Sequence, residues 1–194
     1  MTVLVAVASR HGATLEIAEV IATALSEAGR AVHLMRLGDE DTGPDPVGYE
    51  AVVLGSAVYG AHWLLPAARF ADDNREILRS RPLWLFSSGP VVEGPLPAER
   101  DAVLVEGVTA DLAARGHRLF GGRLARSLLS PAELAIVTAF RAADVDARDL
   151  PAAAAWARHI AAELAADGGG AADPGGGTSR GRGRRRWRTV PPLP

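Results

Sequence analysis

The chain has 194 residues, 48% of them hydrophobic; its 21 basic residues are all arginine, and it has 23 acidic residues and no cysteine. The hydrophobic fraction excludes a wholly disordered chain. The lack of cysteine excludes disulfides, cysteine-ligated zinc and iron–sulfur clusters. No apolar run is long enough to span a bilayer, and no basic region precedes the first apolar run as in a signal peptide. We therefore expect a cytoplasmic protein.

The formal net charge of −2 is distributed unevenly along the chain. Residues 1–166 hold 15 Arg and 21 acidic residues, whereas residues 167–194 hold 6 Arg and 2 Asp. The sequence therefore predicts an acidic body of net charge −6 followed by a basic tail of net charge +4.

The first half of the chain alternates between apolar runs of strand length and stretches with helical spacing. An unbroken apolar run such as Val3 to Ala8 is typical of a parallel strand that is covered on both faces. We predict strands at residues 3–8, 32–37 and 51–55, and helices at residues 13–28 and 64–79.

The second half continues the same alternation. We predict strands at residues 83–86 and 117–124, a helix at residues 98–115, a short helix after a capping box at Ser130 and Glu133, and a last helix from about Pro151. Five successive βα units predict an α/β fold with a doubly wound parallel sheet. From Asp167 onward the chain is rich in Gly and Arg and cannot form a core, so we expect a disordered tail over residues 167–194.

In an open parallel sheet, ligands bind outside the carboxyl ends of the strands, which directs attention to the loops at residues 9–14, 56–62 and 87–95. The first of these loops has the character of a phosphate cradle, because Gly12 lets the backbone approach closely while Ser9 and Thr14 supply hydroxyl donors. It contains neither the Gly-x-Gly-x-x-Gly fingerprint nor a Walker A motif. An ordinary βα turn capped by Ser or Thr is the alternative.

The second and third loops favour a flat ligand. Small residues and Tyr59 at the end of a central strand would give a ring system close backbone contact and an aromatic face. The loop from Ser87 to Val91 is again small and polar beside the same crevice. Each loop alone could be a generic turn, but three on consecutive central strands indicate a binding site.

The order of strand, Ser9-Arg10-His11-Gly12-Ala13-Thr14, helix and Gly55-Ser56-Ala57-Val58-Tyr59-Gly60 resembles the flavodoxin superfamily. Over residues 1–166 it is most similar to the branch that includes menaquinone-dependent protoporphyrinogen oxidase. The resemblance implies a flavodoxin-like five-stranded parallel sheet with helices on both faces. It also implies the cofactor FMN and an oxidoreductase that passes electrons from a substrate to a quinone.

The resemblance also implies which residues bind FMN, with the first loop at the phosphate and the other two beside the isoalloxazine ring. No catalytic residue is assigned. The implied cofactor-binding residues are Ser9, Arg10, His11, Gly12, Ala13, Thr14, Ser56, Ala57, Val58, Tyr59, Gly60, Ser88, Gly89, Pro90 and Val91.

Residues 125–150 occupy the place of a segment that, in this branch, is associated with the porphyrin, the quinone or the membrane surface. We favour the interpretation that its short helix packs on the edge of the sheet; a substrate-facing patch, or one touching the inner face of the membrane, is the alternative. The apolar residues in question are Leu128, Leu129, Leu134, Ile136, Val137 and Phe140.

The expected partners are a redox partner or quinone and a porphyrinogen substrate. A single short Arg cluster with one Trp is weak support for nucleic-acid binding by the tail, so we do not expect it. Two other hypotheses remain open. One is a flavodoxin electron carrier without enzymatic activity, and the other is a degenerate module of the same fold that does not bind FMN.

Overall fold

A computed structural model describes residues 2–38, 43–59, 62–89, 112–139 and 141–169. The first part of the chain forms β1 (Thr2–Ala8), α1 (Ala13–Glu27), β2 (Ala31–Arg36), β3 (Ala51–Tyr59), β4 (His62–Trp63), α2 (Leu65–Asp73), α3 (Arg75–Arg79) and β5 (Leu83–Ser88). The second part forms β6 (Gly116–Phe120), β7 (Arg123–Leu124), α4 (Pro131–Ala139), β8 (Val145–Asp146) and α5 (Leu150–Gly169). Short 3-10 turns lie at Pro46–Gly48 and Arg126–Leu128.

The main sheet has the strand order β2-β1-β3-β5-β6, and all four neighbouring pairs in this order are parallel. β1 is central, with Val5 beside Leu34 on one side and Val53 on the other. The predicted α/β fold is therefore confirmed. The order reverses at β1, which places the topological switch point at the carboxyl ends of β1 and β3.

Successive side chains of a strand point to opposite faces of the sheet. Alternate residues of the central strands therefore contribute to two separate hydrophobic cores. On one face, Val3, Val5 and Val7 pack with α1 and α5. On the other face, Leu4 and Ala6 pack with α2 and α3. Since β1, β3 and β5 are buried on both faces, they read as unbroken apolar runs in the sequence.

Several element boundaries differ from the predicted ones. β3 runs on to Tyr59 and pairs with β4 in an antiparallel hairpin, so the expected loop at residues 56–62 begins as a strand. The predicted helix at residues 64–79 breaks at Asn74, whose side-chain amide donates to the carbonyl of Phe70. A side chain that competes for the helical backbone is a sufficient reason for such a break.

The predicted strand at residues 117–124 also divides, because it leaves the sheet after Phe120 and its last two residues pair with β8. Gly121 permits this turn: a Cβ there would lie 2.0 Å from the carbonyl oxygen of Ala147, so only glycine fits. Of the predicted helix at residues 98–115, the structure describes only residues 112–115, and these are not helical.

The β7–β8 ribbon is tied to α1 by charged side chains. Glu16 of α1 accepts hydrogen bonds from Arg123 and Arg148, and Arg148 also pairs with Asp146 at 2.6 Å. These guanidinium groups hold the pKa of the Glu16 carboxyl below its ordinary value, against the opposing effect of burial. No described helix is both long and apolar enough to cross a membrane.

Candidate functional site

A cavity of about 440 Å³ opens at the carboxyl ends of β1, β3 and β5, where the sequence predicted a ligand. This volume lies in the range of small-molecule and cofactor sites. Ten of the predicted site residues line it together: Ser9, Arg10, His11, Ala13, Thr14, Ala57, Val58, Tyr59, Ser88 and Gly89.

One end of the cavity is formed by residues 9–14, which we call the phosphate loop. Gly12, the N-cap of α1, has φ +86°, and no side chain of the described residues caps the helix. The first N–H groups of α1 are thus left for a ligand, and the helix dipole favours an anion. Ser9 lines the cavity, and its buried hydroxyl has no hydrogen-bond partner among the described residues. An anion bound here would satisfy it.

The other end of the cavity is formed by the ends of β3 and β5. Ala57 and Val58 supply small apolar contacts, Tyr59 supplies an exposed aromatic ring, and Gly89 follows β5 with φ +128°. Such a surface suits the flat face and edge of a ring system. Burial raises the pKa of the Tyr59 hydroxyl, so Tyr59 is neutral around neutral pH.

Ser56 does not line the cavity. Its buried hydroxyl donates to the carbonyl of Ala57 and accepts from the N–H of Leu64, which fixes the β3–β4 hairpin. Gly55 has a structural role as well, since a Cβ there would lie 2.1 Å from the ring of Phe86. Gly60, Pro90 and Val91 lie outside the described residues.

The remaining wall comes from the chain after β6, which the sequence analysis placed near a substrate only as the less favoured alternative. We call residues 122–139 the strap. It contributes the lining residues Gly122, Arg123, Leu124, Ala125, Leu128, Leu129, Glu133, Ile136 and Val137. α4 has no buried residue, so it does not pack on the edge of the sheet as we expected. The turn at Gly121 carries the chain over the cavity instead.

Glu133 connects the strap with the phosphate loop. Its Oε1 accepts from Arg10 Nε at 3.0 Å and lies 3.1 Å from His11 Nε2. Its Oε2 accepts from the backbone N–H and the hydroxyl of Ser130, which completes the predicted capping box. The Ser130 hydrogen bonds and the contact with His11 lower the pKa of Glu133 to about 2, so it is ionised at neutral pH.

Arg10 also contacts Tyr59, at the ring end of the cavity. Its guanidinium carbon lies 5.7 Å from the centre of the Tyr59 ring, within the range of a cation–π contact. Arg10 therefore touches the strap through Glu133 and the ring end of the cavity through Tyr59.

The chain is similar to known proteins in family and in fold. Residues 4–148 match the family model described as "Flavodoxin domain". Flavodoxin 2 from Bacillus cereus is 23% identical, with a TM-score of 0.55 over 84% of this chain and 99% of that chain. A flavodoxin from Streptococcus pneumoniae TIGR4 is 16% identical, with a TM-score of 0.54 over 86% of this chain and 99% of that chain.

A flavodoxin from the domain Archaea is 17% identical, with a TM-score of 0.53 over 85% of this chain and 99% of that chain. At these identities the three structures establish the fold alone. No curated protein sequence matches the chain.

Proposed function

The chain belongs to the flavodoxin domain family, whose cofactor is FMN, and on this premise we propose that it is an FMN-dependent oxidoreductase acting on an apolar substrate. The observation that carries the proposal is the apolar wall of the strap. Leu128, Ile136 and Val137 face the same cavity as Tyr59 and the end of β5. An electron carrier that only exchanges electrons with a protein does not need such a wall.

The residues present fit FMN at its phosphate end. The uncapped start of α1, the left-handed Gly12 and the unpartnered hydroxyl of Ser9 make a set of donors for an anion. Thr14, buried in the first turn of α1, adds a second hydroxyl to the lining. Charge-assisted hydrogen bonds of this kind are among the stronger ones in proteins.

The residues at the ends of β3 and β5 fit the isoalloxazine ring of FMN. Ala57, Val58 and Gly89 allow close approach of the backbone, and Tyr59 offers an aromatic face. When bound, FMN supplies the redox chemistry, since it accepts and releases hydride or electrons. The chain orients the ring, and the apolar side chains of the strap exclude water from the space beside it.

We further propose that the substrate, which donates the electrons, is a porphyrinogen and that the electron acceptor is a quinone. Both are largely apolar ring compounds, and the strap provides apolar contact area for them. Support comes from the resemblance of the loops at residues 9–14 and 55–60 to the branch with this activity. An electron carrier is the second candidate, because Tyr59 is 44% exposed and leaves one side of the cavity open to a partner protein.

Turnover assays separate the two candidates. The FMN-loaded protein should oxidise protoporphyrinogen with a menaquinone analogue as acceptor. Val137→Asn should raise KM for the porphyrinogen by roughly 5- to 20-fold without loss of FMN, because it places a polar group in the apolar wall. Leu134→Asn is the matched control: the same helix carries it, but it does not line the cavity.

Reduction by a flavodoxin reductase, combined with no oxidation of porphyrinogen, would identify a carrier and refute the oxidoreductase proposal. Equal KM values for Val137→Asn and Leu134→Asn would refute the role assigned to the strap.

A further inference from the structure

Glu133 makes two different sets of contacts with its two carboxylate oxygens. Oε2 contributes to the cap of α4: it accepts hydrogen bonds from the backbone N–H of Ser130 at 2.9 Å and from the Ser130 hydroxyl at 2.7 Å. Oε1 contacts the phosphate loop: it lies 3.0 Å from Arg10 Nε and 3.1 Å from His11 Nε2. A capping box needs only the first set. The second set joins residues more than 120 positions apart in the chain.

In the described part of the chain, the tip of the strap, helix α4, has no buried side chain to hold it in place. None of the residues of α4 is buried, so hydrophobic packing does not fix the helix against the sheet. The base of the strap is held separately, by the ion pairs of Arg123 and Arg148 with Glu16. The contacts of Glu133 with the phosphate loop are therefore placed to fix the tip.

The charges at this contact are partly shielded from water, which strengthens their interaction. The side chains of Glu133 and His11 are 19% and 21% exposed, whereas that of Arg10 is 53% exposed. An ion pair at intermediate burial is screened less than one on the open surface. Arg10 also lies over the Tyr59 ring, so the contact links the phosphate loop with the ring end of the cavity.

We propose that Glu133 is a positioning residue of the flavin site, whose carboxylate latches the strap to Arg10 and His11 and thereby controls the escape of FMN and the access of solutes to its ring. The inference rests on FMN occupying this cavity but not on the identity of the substrate. Release of the latch would let the strap swing on its base at Glu16, exposing the apolar side of the cavity.

Two variants distinguish the contact of Glu133 with the phosphate loop from its role in capping α4. Glu133→Gln keeps a residue that the capping box accepts, but it removes the charge that faces Arg10 and His11. Ser130→Ala removes the hydroxyl from the capping box but keeps its backbone N–H and leaves the carboxylate opposite the phosphate loop. The measurements are the FMN dissociation rate and the quenching of flavin fluorescence by iodide and acrylamide, on the full-length FMN-loaded protein.

Glu133→Gln should release FMN roughly 5- to 10-fold faster than wild type and should increase quenching by acrylamide, as expected for loss of a partly buried ion pair. Ser130→Ala should stay within about twofold of wild type. Arg10→Gln should also speed FMN release, but by no more than Glu133→Gln, because it leaves the contact between Glu133 and His11. The double variant should be no faster than Glu133→Gln alone.

Ionic strength supplies an independent readout. Raising the salt from about 0.05 to 0.5 M should speed FMN release from wild type more than from Glu133→Gln, because screening weakens the latch only where the charge is present. A purely structural role of Glu133 would not produce this difference.

Equal release rates and equal quenching in wild type and Glu133→Gln would overturn the proposal. So would a Ser130→Ala variant as fast as Glu133→Gln, because the cap alone would then explain the effect. Arg10→Gln leaves α4 unaltered, so its acrylamide quenching decides the question if Glu133→Gln does not fold: loss of a phosphate contact alone would not expose the flavin ring. Failure of wild type to bind FMN would be a different result, which refutes the cofactor assignment and not the latch alone.

Discussion

At the scale of single residues, two buried serines have opposite relations to the cavity. Ser9 follows the last residue of β1, and Ser56 of the neighbouring parallel strand β3 pairs with Ala8, the residue before it. Yet Ser9 lines the cavity and its hydroxyl has no partner among the described residues, whereas the hydroxyl of Ser56 makes two hydrogen bonds within the β3–β4 hairpin. The same residue type therefore supports binding at one position and folding at the other.

Substitution of these serines should separate the two roles. Ser9→Ala should weaken FMN binding by roughly 5- to 50-fold, because it removes a hydrogen bond to a charged group, while leaving the melting temperature without FMN unchanged or slightly higher. Ser56→Ala should lower that melting temperature and leave FMN affinity nearly unchanged. Titration of flavin fluorescence and thermal unfolding measure the two effects. Equal losses of FMN affinity in both variants would contradict this assignment.

The Glu133 carboxyl should make stability depend on pH in a defined direction. Its pKa is lowered from 4.5 to about 2 in the folded protein, chiefly by the Ser130 hydrogen bonds and further by His11. Its stabilising effect is therefore complete above about pH 4.5 and is lost as the pH falls toward 2. Glu133→Gln should melt about 1–3 °C below wild type at pH 7, and this difference should shrink as the pH is lowered through that interval.

Melting curves of wild type and Glu133→Gln at several pH values between 7 and the acid limit provide the measurement. A difference in melting temperature that stays constant down to about pH 2, or that grows in acid, would show that the Glu133 charge does not stabilise the fold.

At the scale of elements, β3 shows how one strand combines packing with ligand binding. Its first residues fill both cores, Gly55 accommodates the ring of Phe86, and its last residues line the cavity. Phe86 is fully buried and packs edge-to-face with Phe120 and Trp156, so it has no free space into which to move.

Gly55→Ala should therefore destabilise the protein by about 2–3 kcal/mol, because its Cβ would overlap the Phe86 ring. Gly48→Ala is the matched control, since nothing lies within 4 Å of a Cβ at that position and its φ is ordinary. Denaturant unfolding compares the two variants. If Gly55→Ala were as stable as Gly48→Ala, close packing against Phe86 would not be the reason for glycine at position 55.

The elements also show what could be predicted from the sequence. The strands of the sheet and the phosphate loop follow from local patterns: unbroken apolar runs, a helix start and hydroxyl residues beside Gly12. The position of the strap beside the cavity could not be predicted from such local patterns. Its capping box is visible in the sequence, but the contact of Glu133 with His11 depends on a turn at Gly121 that brings distant segments together.

Gly55 illustrates a second limit. A small residue at the end of a strand is compatible with close approach of a ligand or of a neighbouring side chain. Only the packing of Phe86 against Gly55 distinguishes these two reasons.

At the scale of the whole molecule, the described lining of the cavity belongs to the folded body. Every described residue that lines it lies between Ser9 and Val137. The last helix, α5, supports the site from behind by packing on α1 through Ala157 and Ile160. The basic residues 170–194 lie outside the described part of the chain.

Removal of residues 170–194 should therefore leave FMN affinity within about twofold of the full-length value, because it removes none of the described lining residues and changes only a weak long-range attraction. Fluorescence titration of both forms at physiological ionic strength provides the comparison. A loss of more than tenfold would assign the basic tail a direct part in cofactor binding.

The central claim is that the phosphate loop, the ends of β3 and β5 and the strap together form an FMN site. Its most direct test is titration of the full-length protein with FMN and, in parallel, with riboflavin, which lacks the phosphate, followed by quantitation of the flavin released on denaturation. We expect one equivalent of FMN per chain and at least tenfold weaker binding of riboflavin, because the phosphate loop contributes only to the former. A protein that releases no flavin and gains no thermal stability from added FMN would contradict the claim.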